Sequence, residues 1–323
     1  MNKSELNGDL RRMLVVVVLY LGFASALVWF VRENPLDLLG SILRNVPRSI
    51  DIFLQVGWWV PLVILPTLFV IPWRTMIHRV PAAVVMIILC TAFFLTFSLV
   101  KTSLTFVTPF YADPLMAELD MALHGGTDPI LLAHLLPIPA SIDVLEPIYS
   151  ATWLVPATYL PVLSTLFDSN PNRRKRFASL YLLSWVAIGN LLALIFLSGG
   201  PVYYDRILET ARFEYIPDLL LQVSTSDTGL IWLHDWLWEA YQSGGDLPGS
   251  GISAFPSVHV AMATVCALYL FELDNRFWPI SVLIIVLYQF LSVYLAWHYA
   301  IDGYASIVLI VVAWRLLRTR KPA

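Results

Sequence analysis

Eight stretches of this chain are apolar for long enough to be read as membrane-crossing helices: residues 13–31, 52–71, 80–100, 148–167, 177–197, 256–271, 277–296 and 299–317. A spanning helix needs about 20 predominantly apolar residues, because lipid offers no partner to an unpaired backbone group. The sixth stretch is short for that role. An ordinary soluble domain carries roughly 25 % charged residues. This chain of 323 residues carries 13 % and is 58 % hydrophobic, more apolar surface than one water-soluble core can hide. The expected fold is therefore an all-α, polytopic membrane helical bundle of about eight transmembrane helices, with outer interfacial helices. The first stretch also resembles a signal peptide, with Arg11 and Arg12 ahead of it and Ala24-Ser25-Ala26 as a cleavage site. Its apolar run continues to Val31, which favours an uncleaved anchor.

Lys and Arg sort by side of the membrane. With eight spans both termini share a side, and 14 of the 20 Lys and Arg residues fall there, among them Arg79 and the run Arg173–Arg176. The other six are Arg32, Arg44, Arg48, Lys101, Arg206 and Arg212. The bias makes the termini cytoplasmic and turns the two long connections, 102–147 and 198–255, outward. The net charge of −3 gives no electrostatic footprint for nucleic acid, and the Arg173–Arg176 run reads as a membrane anchor. Cys90 and Cys266 both lie inside apolar runs and read as packing residues rather than a disulfide framework.

Both outer connections carry helical patterns. In the first, Asp113 to Asp120 is followed by glycines at 125 and 126, which should stop a short helix. In the second, the aromatic segment 230–238 follows Asp227 and Thr228 as possible caps. Tryptophan belongs at headgroup level, so both segments are expected on the outer membrane surface.

Ionisable groups at membrane depth default to functional candidates, and two places hold them. The sixth span opens with Gly251-Ile-Ser-Ala-Phe-Pro-Ser-Val-His259. Pro256 suits a first helical turn, which would set Ser257 and His259 beside free backbone N–H groups, a ready anion site. The last span opens with Trp297-His298-Tyr-Ala-Ile-Asp302. His298 and Asp302 are four apart and would share a helix face, where a carboxylate fixes the imidazole tautomer. The spacing alone fits an internal hydrogen bond, a fragment of a metal site or a catalytic pair.

The segments Phe255-Pro-Ser-Val-His259 and Val293-Tyr-Leu-Ala-Trp-His298-Tyr-Ala-Ile-Asp302 resemble the second and third signature motifs of the type 2 phosphatidic acid phosphatase superfamily. The Ala-Phe-Pro-Ser-x-His form is similar to the branch containing inositol phosphorylceramide synthase, the aureobasidin-resistance protein. The stretch from Asp113 to Pro129 and the turn Gly199-Gly-Pro-Val-Tyr-Tyr204 extend the likeness. The resemblance implies a six-helix phosphatase-like core in residues 76–323 behind N-terminal helices in 1–75. It also implies His298 as nucleophile, Asp302 as its orienting partner and His259 as general acid and base, with Ser257 and backbone N–H groups on the phosphate oxygens. No metal and no cofactor are implied.

Common lipid phosphatases carry an Arg six residues ahead of the nucleophilic His, and a first motif of Lys followed at a distance by Arg-Pro. Here Ser292 stands at the Arg position, and Gly200-Pro201 stands in place of the missing first motif. Arg206 and Tyr204 are the substrate-binding candidates in that neighbourhood. Asp113, Asp120 and His124 either bind an acceptor headgroup or cap surface helices.

The expected activity is transfer of a phospho-headgroup between phospholipid or sphingolipid substrates through a phosphohistidine. Hydrolysis of a lipid phosphate or polyprenyl diphosphate is the enzymatic alternative, and a transporter or scramblase the non-enzymatic one. The site would face the periplasm at a bacterial inner membrane, or the lumen of a eukaryotic endomembrane.

Overall fold

The structure is a computed structural model and describes residues 3–58, 60–61, 73–138, 140–224, 229–244 and 249–319. Among these residues every regular element is helical. Two sequence expectations fall outside them: most of the second apolar stretch, 52–71, and the caps Asp227 and Thr228.

Helix α1 (Lys3–Val31) and α2 (Pro35–Val56) precede the long α3 (Trp73–Val107). Short helices α4 (Asp113–Leu123) and α5 (Pro129–His134) follow. Helix α6 (Ile142–Pro147) runs through a wider turn, Ile148–Thr152, into α7 (Trp153–Phe167). Helix α8 (Pro171–Ile195) leads to the short α9 (Pro201–Leu208) and α10 (Ile216–Leu221), and then to α11 (Leu230–Gln242). The chain closes with α12 (Val258–Leu273), α13 (Trp278–Tyr294) and α14 (Ala300–Thr319).

Five helical segments are long and apolar enough to cross a membrane: Glu5–Val31, Trp73–Val107, Pro171–Ile195, Asn275–Tyr294 and Ala300–Thr319. The expected fourth span is instead the α6–α7 segment, which bends at Tyr159 between Pro156 and Pro161 because each proline removes a ladder donor and crowds the preceding turn. The expected sixth is α12, only 16 residues long. Its composition explains its place. Val260, Ala261, Met262, Val265 and Ala267 are all at zero exposure, so α12 is apolar on every side and lies at the centre of the bundle. It packs against α7, α8, α13 and α14. Its alanines let those backbones approach closely. Gly189 of α8 serves the same end, since a Cβ there would come within 2.7 Å of Phe97 and 2.8 Å of Val258. Helix α1 packs along α3, across the expected boundary at residue 75.

Charge marks one end of the bundle. Arg79 at the start of α3 donates to the Leu166 carbonyl and to Ser169, each at 2.8 Å. Arg173 pairs with Asp168 and also donates to the Glu272 carbonyl. Arg174 reaches Asp9 of α1, and Arg176 reaches Glu272 at the end of α12. Residues that the charge map sorted to one side thus meet at one end. The short outer helices gather at the other, where α4 ends at Leu123 and the chain turns through Gly125 and Gly126, both at positive φ, a conformation that favours glycine.

Candidate active site

The two motif loops meet at that other end. Ser257 has extended backbone (φ −74°, ψ 114°), and its hydroxyl accepts from the Val260 N–H. It is therefore the N-cap of α12, and the helix begins at Val258. This corrects the expectation that Pro256 lies in the first helical turn, because the hydroxyl cap at Ser257 fixes the start two residues beyond the proline. His259 is then the second helical residue. Its ring is stacked between Tyr149 and Trp153, with centroid distances of 4.6 and 4.0 Å. Trp153 also donates its indole N–H to the His259 carbonyl at 3.0 Å.

His298 lies ahead of α14, in the turn that follows α13. The pair with Asp302 exists, but it is not made by a helical face. Ala296 takes a left-handed conformation (φ 62°), which reverses the chain, and the His298 N–H donates to the Ser292 carbonyl at 3.0 Å. Asp302 then accepts from the Tyr299 N–H at 3.0 Å, and the same oxygen lies 3.1 Å from His298 Nδ1. The opposite ring nitrogen, Nε2, is 3.1 Å from Ser257 Oγ. With Asp302 ionised, Nδ1 carries the proton and the Nε2 lone pair points toward Ser257. The Ser257 N–H donates to the Asp302 carbonyl at 3.2 Å, tying the two loops together. Burial, reinforced by the Lys101 ammonium, depresses the His298 pKa to about 3. The resting imidazole is therefore neutral, the state in which nitrogen is nucleophilic.

Two carboxylates from α4 hold this arrangement. Asp113 accepts from the Gly199 and Gly200 N–H groups at 2.7 and 2.9 Å and from the Tyr299 hydroxyl at 2.9 Å. Asp120 accepts from the Ala300 and Ile301 N–H groups at 2.9 and 3.0 Å, capping α14 from a distant segment. Burial pushes both carboxyls above the usual carboxylate range, against the pull of these donors. Neither faces outward, so neither reaches a headgroup as the sequence allowed, nor caps its own helix. Their role was invisible in the sequence because the donors lie 86 to 186 positions away. His124 meets the Asp120 carbonyl and the Tyr304 hydroxyl.

His259 and His298, ring centroids 6.3 Å apart, open on one cavity of about 460 Å³. Its walls are largely apolar, with Phe53 of α2, Phe94 and Phe97 of α3, and Trp185 of α8. The α11 residues Leu233, Trp236 and Leu237 roof it, so the aromatic segment expected on the membrane surface covers the site. Against this background Lys101 stands out. It lines the cavity on the α3 face that also carries Phe97 and Ser98 and makes no ion pair among the described residues. In the sequence it was only one more cation in the charge map. The Ser98 and Ser253 hydroxyls and the Trp297 indole N–H are other cavity-lining polar groups without a partner among the described residues.

Ser257, His259, His298 and Asp302 are thus brought together, whereas Arg206 and Tyr204 are not. Arg206 is 40 % exposed and pairs with Asp235. Tyr204 packs on Phe213 under Arg212. Neither lines the cavity, because α9 turns that face toward α11 and the Phe213 loop instead.

Residues 114–316, well over half of the chain, match the PAP2 superfamily. The chain belongs to that superfamily. Its members are generally phosphatases and phosphotransferases acting on lipid phosphoesters, and this chain falls in that class. The match spans both motif loops and both carboxylates' partners, with Asp113 one residue ahead of it. Neither the curated proteins nor the solved structures contain a significant match to the chain.

Proposed function

We propose that this protein is a membrane-embedded phosphotransferase that moves a phospho-headgroup between lipids through a phosphohistidine on His298, without a metal. The observation that carries the reading is His298, held neutral between Asp302 and Ser257 in the wall of an apolar cavity that it shares with His259 and Lys101. In the first half-reaction Nε2 of His298 donates its lone pair to phosphorus as the bond to the leaving oxygen breaks. His259 gives that oxygen a proton. In the second, an acceptor hydroxyl loses its proton to His259 and attacks phosphorus, and the P–N bond electrons return to His298. Asp302 stabilises the positive ring in between.

Lys101 takes the place of the cation missing at position 292. Its ammonium, with the free donors of Ser98, Ser253 and Trp297, would hold the non-bridging oxygens; buried donors rarely go without acceptors, and donors aimed at developing charge lower the barrier. A tight contact supports this placement: a Cβ on Gly251 would lie 2.6 Å from Lys101 Cγ and 3.0 Å from its carbonyl carbon, so only glycine lets the motif loop lie over the lysine.

The apolar roof and walls suit a lipid acceptor better than free water, and the motif likeness to the inositol phosphorylceramide synthase branch points the same way, toward sphingolipid or phospholipid acceptors. The Lys and Arg bias puts the site on the outer face, periplasmic or lumenal. The decisive experiment incubates the purified protein with labelled phospholipid donors and candidate lipid acceptors. A new phospholipid, together with an acid-labile phosphoprotein that is absent from His298→Ala, is the expected result. Undiminished turnover by His298→Ala would overturn the mechanism. Release of inorganic phosphate without a new lipid would replace transfer by hydrolysis.

A further inference from the structure

A second cavity, of about 570 Å³, opens at the opposite end of the bundle between α1, α7 and α8. It lies far from the candidate active site: His259 is in the first turn of α12 and Glu272, which pairs with Arg176, in its last, about 20 Å away at the rise of an α-helix. Its rim holds four cations, Arg11, Arg12, Arg174 and Lys175, against one carboxylate, Asp9. Asp9 is already shared by Arg12 and Arg174. Arg11 and Lys175 make no ion pair among the described residues. Arg174 is only 3 % exposed; its Nε donates to Asp9 at 2.8 Å and its Nη1 to the Asp168 carbonyl at 3.0 Å. Its Nη2 has no acceptor among the described residues.

A buried guanidinium with a free N–H pair is costly unless an acceptor arrives. The unpaired Arg11 and Lys175 beside it add to a rim of four cations against one carboxylate, which favours an anion. The rest of the wall carries Met13, Val16, Met86 and Leu182 beside Ser164, Thr165, Ser179 and Tyr181; the Ser164, Thr165 and Ser179 hydroxyls already donate to carbonyls one turn back. Val15, also in the wall, is half exposed and continues into Leu14, Val18 and Leu19 on the outer surface of α1. The site therefore has an anion-binding head and a hydrocarbon track leading out along a membrane helix. We infer that this cavity binds the phosphate of an acidic phospholipid from the leaflet opposite the active site, with Arg174 Nη2 as central donor and Arg11 and Lys175 as flanking charges. The lipid clamps α1 to α8. Basic pockets between transmembrane helices are suited to such headgroups.

The test uses the full-length protein in phosphatidylcholine nanodiscs, with phosphatidylglycerol added in one arm and inorganic phosphate in another. Native mass spectrometry should show retained phosphatidylglycerol, and the melting temperature should rise with it but not with inorganic phosphate. The double variant Arg11→Gln/Lys175→Gln, altered only at the rim, should bind phosphatidylglycerol at least 10-fold more weakly. Arg174→Met should lose binding outright, and if it does not fold the rim variant alone decides. An equal melting shift with inorganic phosphate, or unchanged lipid retention in the rim variant, would overturn the proposal. His298→Ala should keep this lipid fully, so the outcome is independent of the catalytic reading.

Discussion

His298 is 6 % exposed and Asp302 is fully buried, so the pair works as one unit. Asp302→Asn keeps the shape but places an amide against Nδ1 and loses the preference for the reactive tautomer. Turnover should fall about 10²–10⁴-fold, with membrane expression unchanged; activity within twofold of the wild type would show that the pair is only structural. The depressed pKa of His298 has a separate consequence for stability. The folded protein keeps this ring neutral down to pH of about 3, whereas an unfolded chain protonates it near pH 6.5. Between those values the unfolded state binds the extra proton, so stability falls as pH falls. In thermal melts across that window, His298→Gln should show a shallower acid slope than the wild type.

At the scale of elements, each motif loop is shaped by a partner far along the chain. Asp120 satisfies two N–H groups at the start of α14, a helix with no capping side chain of its own ahead of Ala300. Asp120→Ala would strand both donors. At about 1–3 kcal/mol for each buried unpaired group, the melting temperature should drop by several degrees, and turnover should fall because Asp302 sits in that first turn. A melt unchanged by the substitution would mean that water replaces the carboxylate. Ala296 tells the same story from the backbone. A non-glycine residue in the left-handed region costs about 1–2 kcal/mol, so Ala296→Gly should be neutral or stabilising and Ala296→Val destabilising, read from the same melts.

For the whole molecule, ion pairs and hydrogen-bonded arginines collect at one end and the candidate active site lies at the other. The positive-inside rule then predicts that the charged end is cytoplasmic. Both native cysteines lie within helices, Cys90 buried and Cys266 half-buried, which leaves the surface free for reporters. Glu209→Cys, at the end of α9 on the site side, should react with a membrane-impermeant maleimide in intact cells. Asn275→Cys, at the other end, should react only after permeabilisation. The reverse pattern would turn the site to the cytoplasm. Burial of the site also follows from the whole bundle: α12 is shorter than a full span, and α11 covers the depression above its start.

Apolar run length and composition by themselves determined an all-helical membrane bundle, since lipid permits few alternatives. The two motif loops named Ser257, His259, His298 and Asp302 because their spacing is local to each loop. Charge counting put Arg79 and the Arg173–Arg176 run on one side, and their side chains meet at one end of the bundle, because most Lys and Arg sit at helix ends rather than within spans. Tertiary structure alone decided the rest. It made Asp113 and Asp120 internal braces, removed Arg206 and Tyr204 from the cavity, and brought Lys101 into it. Those assignments depend on contacts between residues far apart in the chain, and a side chain's local sequence carries no record of which distant backbone it will meet.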